Sequence, residues 1–74
     1  MPKLPRISGK KIAKILFGLG FEKFRQKGSH TFFVHKDGRV TTIPVHGNKV
    51  IPIGTLKAIL KDIEISNNDF GKLL

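Results

Sequence analysis

Asp37-Gly38 stands between two runs rich in β-branched and aromatic residues, His30 to Lys36 and Arg39 to Val45. An Asp-Gly pair joining such runs is a strong local signal for a β-hairpin, because a tight two-residue turn needs residues that tolerate positive φ. Read as that two-residue turn, the pair sets the register by counting outward. Val34 then falls opposite Thr41, Phe32 opposite Ile43 and His30 opposite Val45, on a face expected to point into the core. The other face sets His35 against Val40, Phe33 against Thr42 and Thr31 against Pro44. Pro44 has no N–H to give to a ladder, so this strand is expected to end at an edge or a bulge.

Helical patterns flank the strands. Ser8 is a good N-cap, and Ile12, Ile15, Leu16 and Leu19 follow at the spacing of one helix face. The helix is predicted from about Gly9 to Gly18, with Gly18 and Gly20 as its stop signal. Phe21 to Lys27 reads as a first strand, with Gly28-Ser29 turning the chain into the second. After a loop from Val45 to Lys49, Pro52 suits the first turn of a second helix striped by Leu56, Ile59, Leu60 and Ile63. Ser66-Asn67-Asn68-Asp69 resembles the capped start of a last short helical turn. The order α-β-β-β-α predicts an α+β fold, a three-stranded antiparallel sheet with two helices on one face. At 74 residues the chain is expected to be one domain with a small core. Residues 1–6, with Pro2 and Pro5, read as a loose arm.

Charge narrows the partner. Fourteen Lys plus Arg stand against five Asp plus Glu, a net +9, which points to a polyanion and first to nucleic acid. An anionic membrane surface is the runner-up on charge alone. No stretch approaches a membrane span or a secretory signal, so a soluble, cytoplasmic protein is expected. Without Cys there is no disulfide, thiolate nucleophile or cysteine-based zinc site. The acids Glu22, Asp37, Asp62, Glu64 and Asp69 form no paired-carboxylate motif of the kind a two-metal phosphodiesterase needs.

Three histidines remain. His30 and His35 are an odd number of positions apart on one strand and project to opposite faces. His35, beside the turn, reads as an exposed polar residue. His30 falls on the expected core face, where a lone histidine is more often a packing residue. The same register sets His46 opposite Ser29, near the end of the sheet that carries His30. Lys10, Lys11 and Lys14 form a basic stripe on the first helix, either a solvated face or an anion contact. Lys23, Arg25 and Lys27 share one parity of the first strand, and the Gly28-Ser29 backbone could meet a phosphate. With no Tyr or Trp, base stacking would fall to Phe33 or a histidine, which favours recognition of backbone and shape.

Four segments together resemble the HicA toxin family, the small mRNA-cleaving members of HicA–HicB toxin–antitoxin systems. They are Gly18-Leu19-Gly20-Phe21, Arg25 to His30, Ile43 to Lys49, and Gly54 to Lys61. The resemblance implies a fold like the double-stranded-RNA-binding domain and a metal-independent endoribonuclease that needs no cofactor. It implies a catalytic histidine at His30, in Gly28-Ser29-His30, and a HicB-type antitoxin that covers the site. Lys10-Lys11-Ile12-Ala13-Lys14 spells a string that opens the second helix of true duplex-RNA-binding domains. Here it opens the first helix and establishes no duplex-binding mode. In the mechanism expected, the RNA 2′-OH attacks its own phosphate and His30 moves a proton. His46 is the weaker candidate for the second proton role. Lys27, Gly28 and Ser29 would steady the phosphate, and Lys10, Lys11, Lys14 and Arg25 would hold the strand. A binding module of the same fold without turnover is the alternative, and phosphate contacts alone do not exclude DNA.

Overall fold

Ser8 opens the first helix as its sequence requires: its Oγ accepts the Lys11 N–H at 3.2 Å, satisfying one orphan donor of the first turn. The computed structural model describes residues 4–74. Its elements are α1 (Gly9–Gly18), β1 (Glu22–Lys27), β2 (His30–Val34), β3 (Val40–Pro44), α2 (Ile53–Asp62) and α3 (Asn67–Lys72). The strands form one antiparallel sheet in the order β1-β2-β3. This is the expected α+β arrangement, with α3 as the C-terminal helical turn capped by Ser66.

Gly20 ends α1. Its φ of 97° puts it in the left-handed region, and the N–H groups of Gly20 and Phe21 return to the carbonyls of Phe17 and Leu16. The same paired closure ends α2, where the N–H groups of Glu64 and Ile65 reach Lys61 and Leu60. There the left-handed position is filled by Glu64, at φ 57°, rather than by glycine.

The β2–β3 hairpin corrects the register read from Asp37-Gly38. His30 pairs with Pro44, Thr31 with Ile43, Phe32 with Thr42, Phe33 with Thr41 and Val34 with Val40. The loop holds three residues, Lys36-Asp37-Gly38: His35 N–H donates to Arg39 O at 2.8 Å and Gly38 N–H to His35 O at 2.9 Å. Gly38 alone takes positive φ, 98°, as in a three-residue hairpin loop closed by a left-handed residue. Asp37 accepts the Arg39 N–H at 3.1 Å and its Nε–H at 2.8 Å, which fixes the loop from inside. The Arg39 backbone N–H holds the Asp37 carboxyl below the usual carboxylate range, helped by the guanidinium charge.

One residue of register moves every side chain to the other face. Thr31, Phe33, Thr41 and Ile43 are the buried set, against Ile12 and Leu16 of α1 and Leu56, Ile59 and Leu60 of α2. His30, Phe32 and Val34 therefore face away from the helices, opposite to the expectation. Thr41 Oγ1 donates to Asp62 Oδ2 at 3.1 Å, so its hydroxyl is satisfied on the core side. β1 buries none of its residues and forms a charged edge of the sheet.

The start of the described chain is tied to α2's approach. Ile7 is buried and its carbonyl accepts the Ile51 N–H at 2.9 Å, while Leu4 rests half-buried on the core. Residues 1–3 of the expected arm lie outside the described residues.

Gly9 lets α1 dock on the end of β3. A Cβ there would fall inside the van der Waals envelope of the Pro44 carbonyl oxygen and 3.2 Å from Val45 Cα. Gly9→Ala is expected to destabilise the fold by about 1–3 kcal/mol, despite alanine's better helix propensity. Gly18→Ala, where a Cβ meets open space, is expected to gain about 0.5–1 kcal/mol. Urea midpoints of the two variants, moving in opposite directions, check this.

Candidate functional site

Gly28 and Ser29 are the whole connection between β1 and β2, since Lys27 pairs directly with His30. Gly28 has φ 60° and Ser29 does not take positive φ, the pattern of a type II′ hairpin turn with glycine first. Gln26 braces the turn: its Nε2 donates to Gly28 O at 3.3 Å, and its Oε1 accepts from Lys23 Nζ at 3.3 Å. Ser29 O accepts the Val45 N–H at 2.7 Å, so the β2–β3 ladder runs on into the turn.

The His30 ring is exposed on the outer face of the sheet. Lys27 on β1 and Pro44 on β3 flank it in one cross-strand row. The next row is Arg25, Phe32 and Thr42, and the third is Glu22, Val34 and Val40. A bulge makes these rows possible. The pairing jumps from Lys23↔Phe33 to Arg25↔Phe32, leaving Phe24 unpaired between them. Lys23 thereby joins Gln26 on the helix side, and the shared parity expected for Lys23, Arg25 and Lys27 is broken.

His46 sits in the loop after β3, in a turn closed by Lys49 N–H to His46 O at 3.0 Å, with Gly47 at φ 56°. With Pro44, Lys49 and Pro52 it lines one shallow hollow. Pro44 is also His30's cross-strand partner, so the two histidines lie at the same end of the sheet. His30 lies on β2 and His46 in the loop after β3. By the observed register Val45, not His46, stands opposite Ser29.

Lys10, Lys11 and Lys14 are exposed on α1, and a hollow beside them is floored by Ala13 and Phe17. The contact of Gly9 with Pro44 brings the start of this helix to the His30 end of the sheet. The stripe nevertheless belongs to the helical layer, whereas Arg25 and Lys27 lie on the outer sheet face. The basic residues thus flank the end of the sheet from two sides and do not form one patch. Phe33, expected as a possible stacking ring, is buried and packs edge-on against Phe17 at 5.5 Å between centroids.

His35 is structural. It is half-buried, its ring stands edge-on to Phe21 at 5.0 Å, and Nε2 lies 3.2 Å from Leu19 O. A carbonyl only accepts, so Nε2 carries a hydrogen toward Leu19, while Nδ1 lies 3.1 Å from both the Asp37 backbone nitrogen and Asp37 Oδ1. Arg39 completes this end of the molecule, stacked 5.1 Å from the Phe21 centroid and donating to the Ile63 carbonyl at the end of α2. Among the described residues no group of three or more His, Asp or Glu stands close enough to hold a metal ion. Nor is any helix there long and apolar enough to cross a membrane.

The family model for the HicA toxin of bacterial toxin–antitoxin matches residues 9–65, from the first residue of α1 through the turn that closes α2. The chain belongs to the HicA toxin family. No curated protein gives a significant match. Family membership gives the chain a toxin's role in a toxin–antitoxin pair, with an antitoxin as partner. The match takes in the Gly28-Ser29-His30 turn, the outer sheet face, the α1 stripe and His46, and leaves α3 outside.

Sequence reasoning missed Gln26 as a brace and Phe24 and Phe32 as outward rings. Their signal was the bulge and the loop length, neither of which composition reveals. The turn itself is open to test, because a Cβ at Gly28 meets no atom within 4 Å and only the backbone opposes a side chain. Gly28→Val is expected to cost about 1–2 kcal/mol, whereas Gly28→Asn, tolerant of left-handed backbone, costs less. Chemical denaturation of the two variants measures the difference.

Proposed function

We propose that this HicA-family toxin is a metal-independent endoribonuclease that cleaves mRNA and stops translation, with His30 as its proton-transfer residue. The observation that carries the reading is the exposed imidazole of His30, beside Lys27 and one residue from a glycine turn with open backbone. RNA supplies its own nucleophile. The 2′-oxygen attacks the adjacent phosphorus, its proton passes to a base, and the 5′-oxygen leaves with a proton from an acid. The products are a 2′,3′-cyclic phosphate and a 5′-hydroxyl. Histidine titrates near neutral pH and serves either proton role. Lys27 and the Gly28-Ser29 backbone would neutralise charge building on the phosphate. Lys10, Lys11, Lys14 and Arg25 would hold the strand on either side, and His46 is the second candidate for proton transfer.

Such chemistry suits a small domain, since the protein need supply only a proton carrier and positive charge. The antitoxin, of HicB type, would act by covering the outer face around His30, and an mRNA substrate places the reaction in the cytoplasm. A second reading, RNA binding without turnover, draws on the placement of His46 in the loop after β3 rather than on the sheet that carries His30.

One variant separates the two readings. His30→Ala removes an exposed ring and is expected to fold and bind RNA as the parent does. Its cleavage of a long mRNA in excess chelator should fall by about 10²–10⁴-fold, and growth arrest should be lost. Undiminished cleavage by this variant would remove His30 from the mechanism. Absence of cleavage by the parent protein would favour the binding module.

A further inference from the structure

Phe24 and Phe32 are the two aromatic rings of the outer sheet face, and the core accounts for neither. Phe24 is 58% exposed at the β1 bulge, and Phe32 is half-buried beside it on β2. Their centroids are 6.1 Å apart and their planes are inclined at 54°, so the rings do not stack on each other and keep a face available. Arg25 is the direct cross-strand partner of Phe32, and Lys27 that of His30. His30 and Phe32 are two positions apart on one strand, a step of about 7 Å along the same face. A ring and a cation in one row are thus followed by an imidazole and a cation in the next.

We infer that Phe24 and Phe32 form a stacking platform for unpaired bases of single-stranded RNA, beside the row that holds His30. Every base has a π-face, and an open sheet carrying aromatic rings among basic residues is a recurrent way to hold single strands. The arrangement separates the two parts of a nucleotide. Bases would lie on the rings while phosphates follow Arg25 and Lys27 toward the Gly28-Ser29 turn. Paired bases are stacked within a duplex and offer no face to such a platform, so the substrate is unpaired at the site. Positive charge within the platform fits a polyanion, and the chain as a whole carries +9.

This inference builds on the ribonuclease reading, but binding tests it separately. In a His30→Ala background, affinity is measured for an unstructured oligoribonucleotide and for an abasic oligomer of the same length. Phe24→Leu and Phe32→Leu keep an apolar side chain and are expected to weaken binding of the base-bearing strand about tenfold each. They should leave the abasic strand unaffected. Tyrosine at either position should restore affinity, which a role in packing alone does not predict for the exposed Phe24. Equal binding by the leucine variants, or equal loss for both oligomers, would overturn the platform. So would leucine variants that bind RNA normally but escape neutralisation by the antitoxin, since the face would then be a protein interface. Cleavage by the parent protein with ring-independent binding sinks the platform alone. Ring-dependent binding without cleavage sinks the ribonuclease reading alone.

Discussion

The three-residue loop Lys36-Asp37-Gly38 determines what each face of the sheet presents. Gly38 takes the left-handed conformation, Asp37 locks the Arg39 backbone and side chain, and the His35–Arg39 hydrogen bond starts the ladder. Every β2 and β3 residue then has its side assigned, with Phe33 and Ile43 in the core and His30 and Phe32 outside. A two-residue turn at the same place would bury His30 and expose Phe33. The loop lies at the far end of the hairpin from His30, yet it governs whether that ring meets solvent.

Around this constraint the molecule divides its labour by end. At the loop end, His35, Arg39 and Thr41 spend their polar groups on Leu19, Ile63 and Asp62, joining the hairpin to both helices. At the other end, the turn at Gly28-Ser29 leaves His30 and Lys27 open, with the start of α1 docked nearby through Gly9. β1 contributes no buried residue and is free to carry charge. A small chain can thus keep its core intact and still leave a histidine and basic side chains exposed on one surface, because the residues of the two ends scarcely overlap.

Much of this was legible in the sequence. The caps at Ser8 and Ser66, the helix bounds of α1 and the α-β-β-β-α order follow from local chemistry, which the tertiary structure leaves unchanged. Register was the weak link. Asp-Gly serves a two-residue turn and also the end of a three-residue loop, and the structure takes the second, with Gly38 left-handed and Asp37 bonded to Arg39. That single slip put His30 on the core side, gave Phe33 a surface role and hid Phe32. The bulge at Phe24 left no mark in composition, so the facing of Lys23 could not be read. His35 looked exposed because its partners, Leu19 and Phe21, lie on another part of the chain.

In the proposed mechanism the substrate's own hydroxyl does the cutting while His30 moves the proton. The most direct measurement uses an RNA cut by the protein at a known bond, with a single deoxynucleotide placed 5′ of that bond, in buffer freed of metals. Cleavage at that bond should then disappear while binding is retained, and the unmodified RNA should yield a 2′,3′-cyclic phosphate. Cleavage of the deoxy-substituted bond at the parent rate, or a product ending in a 5′-phosphate, would contradict it.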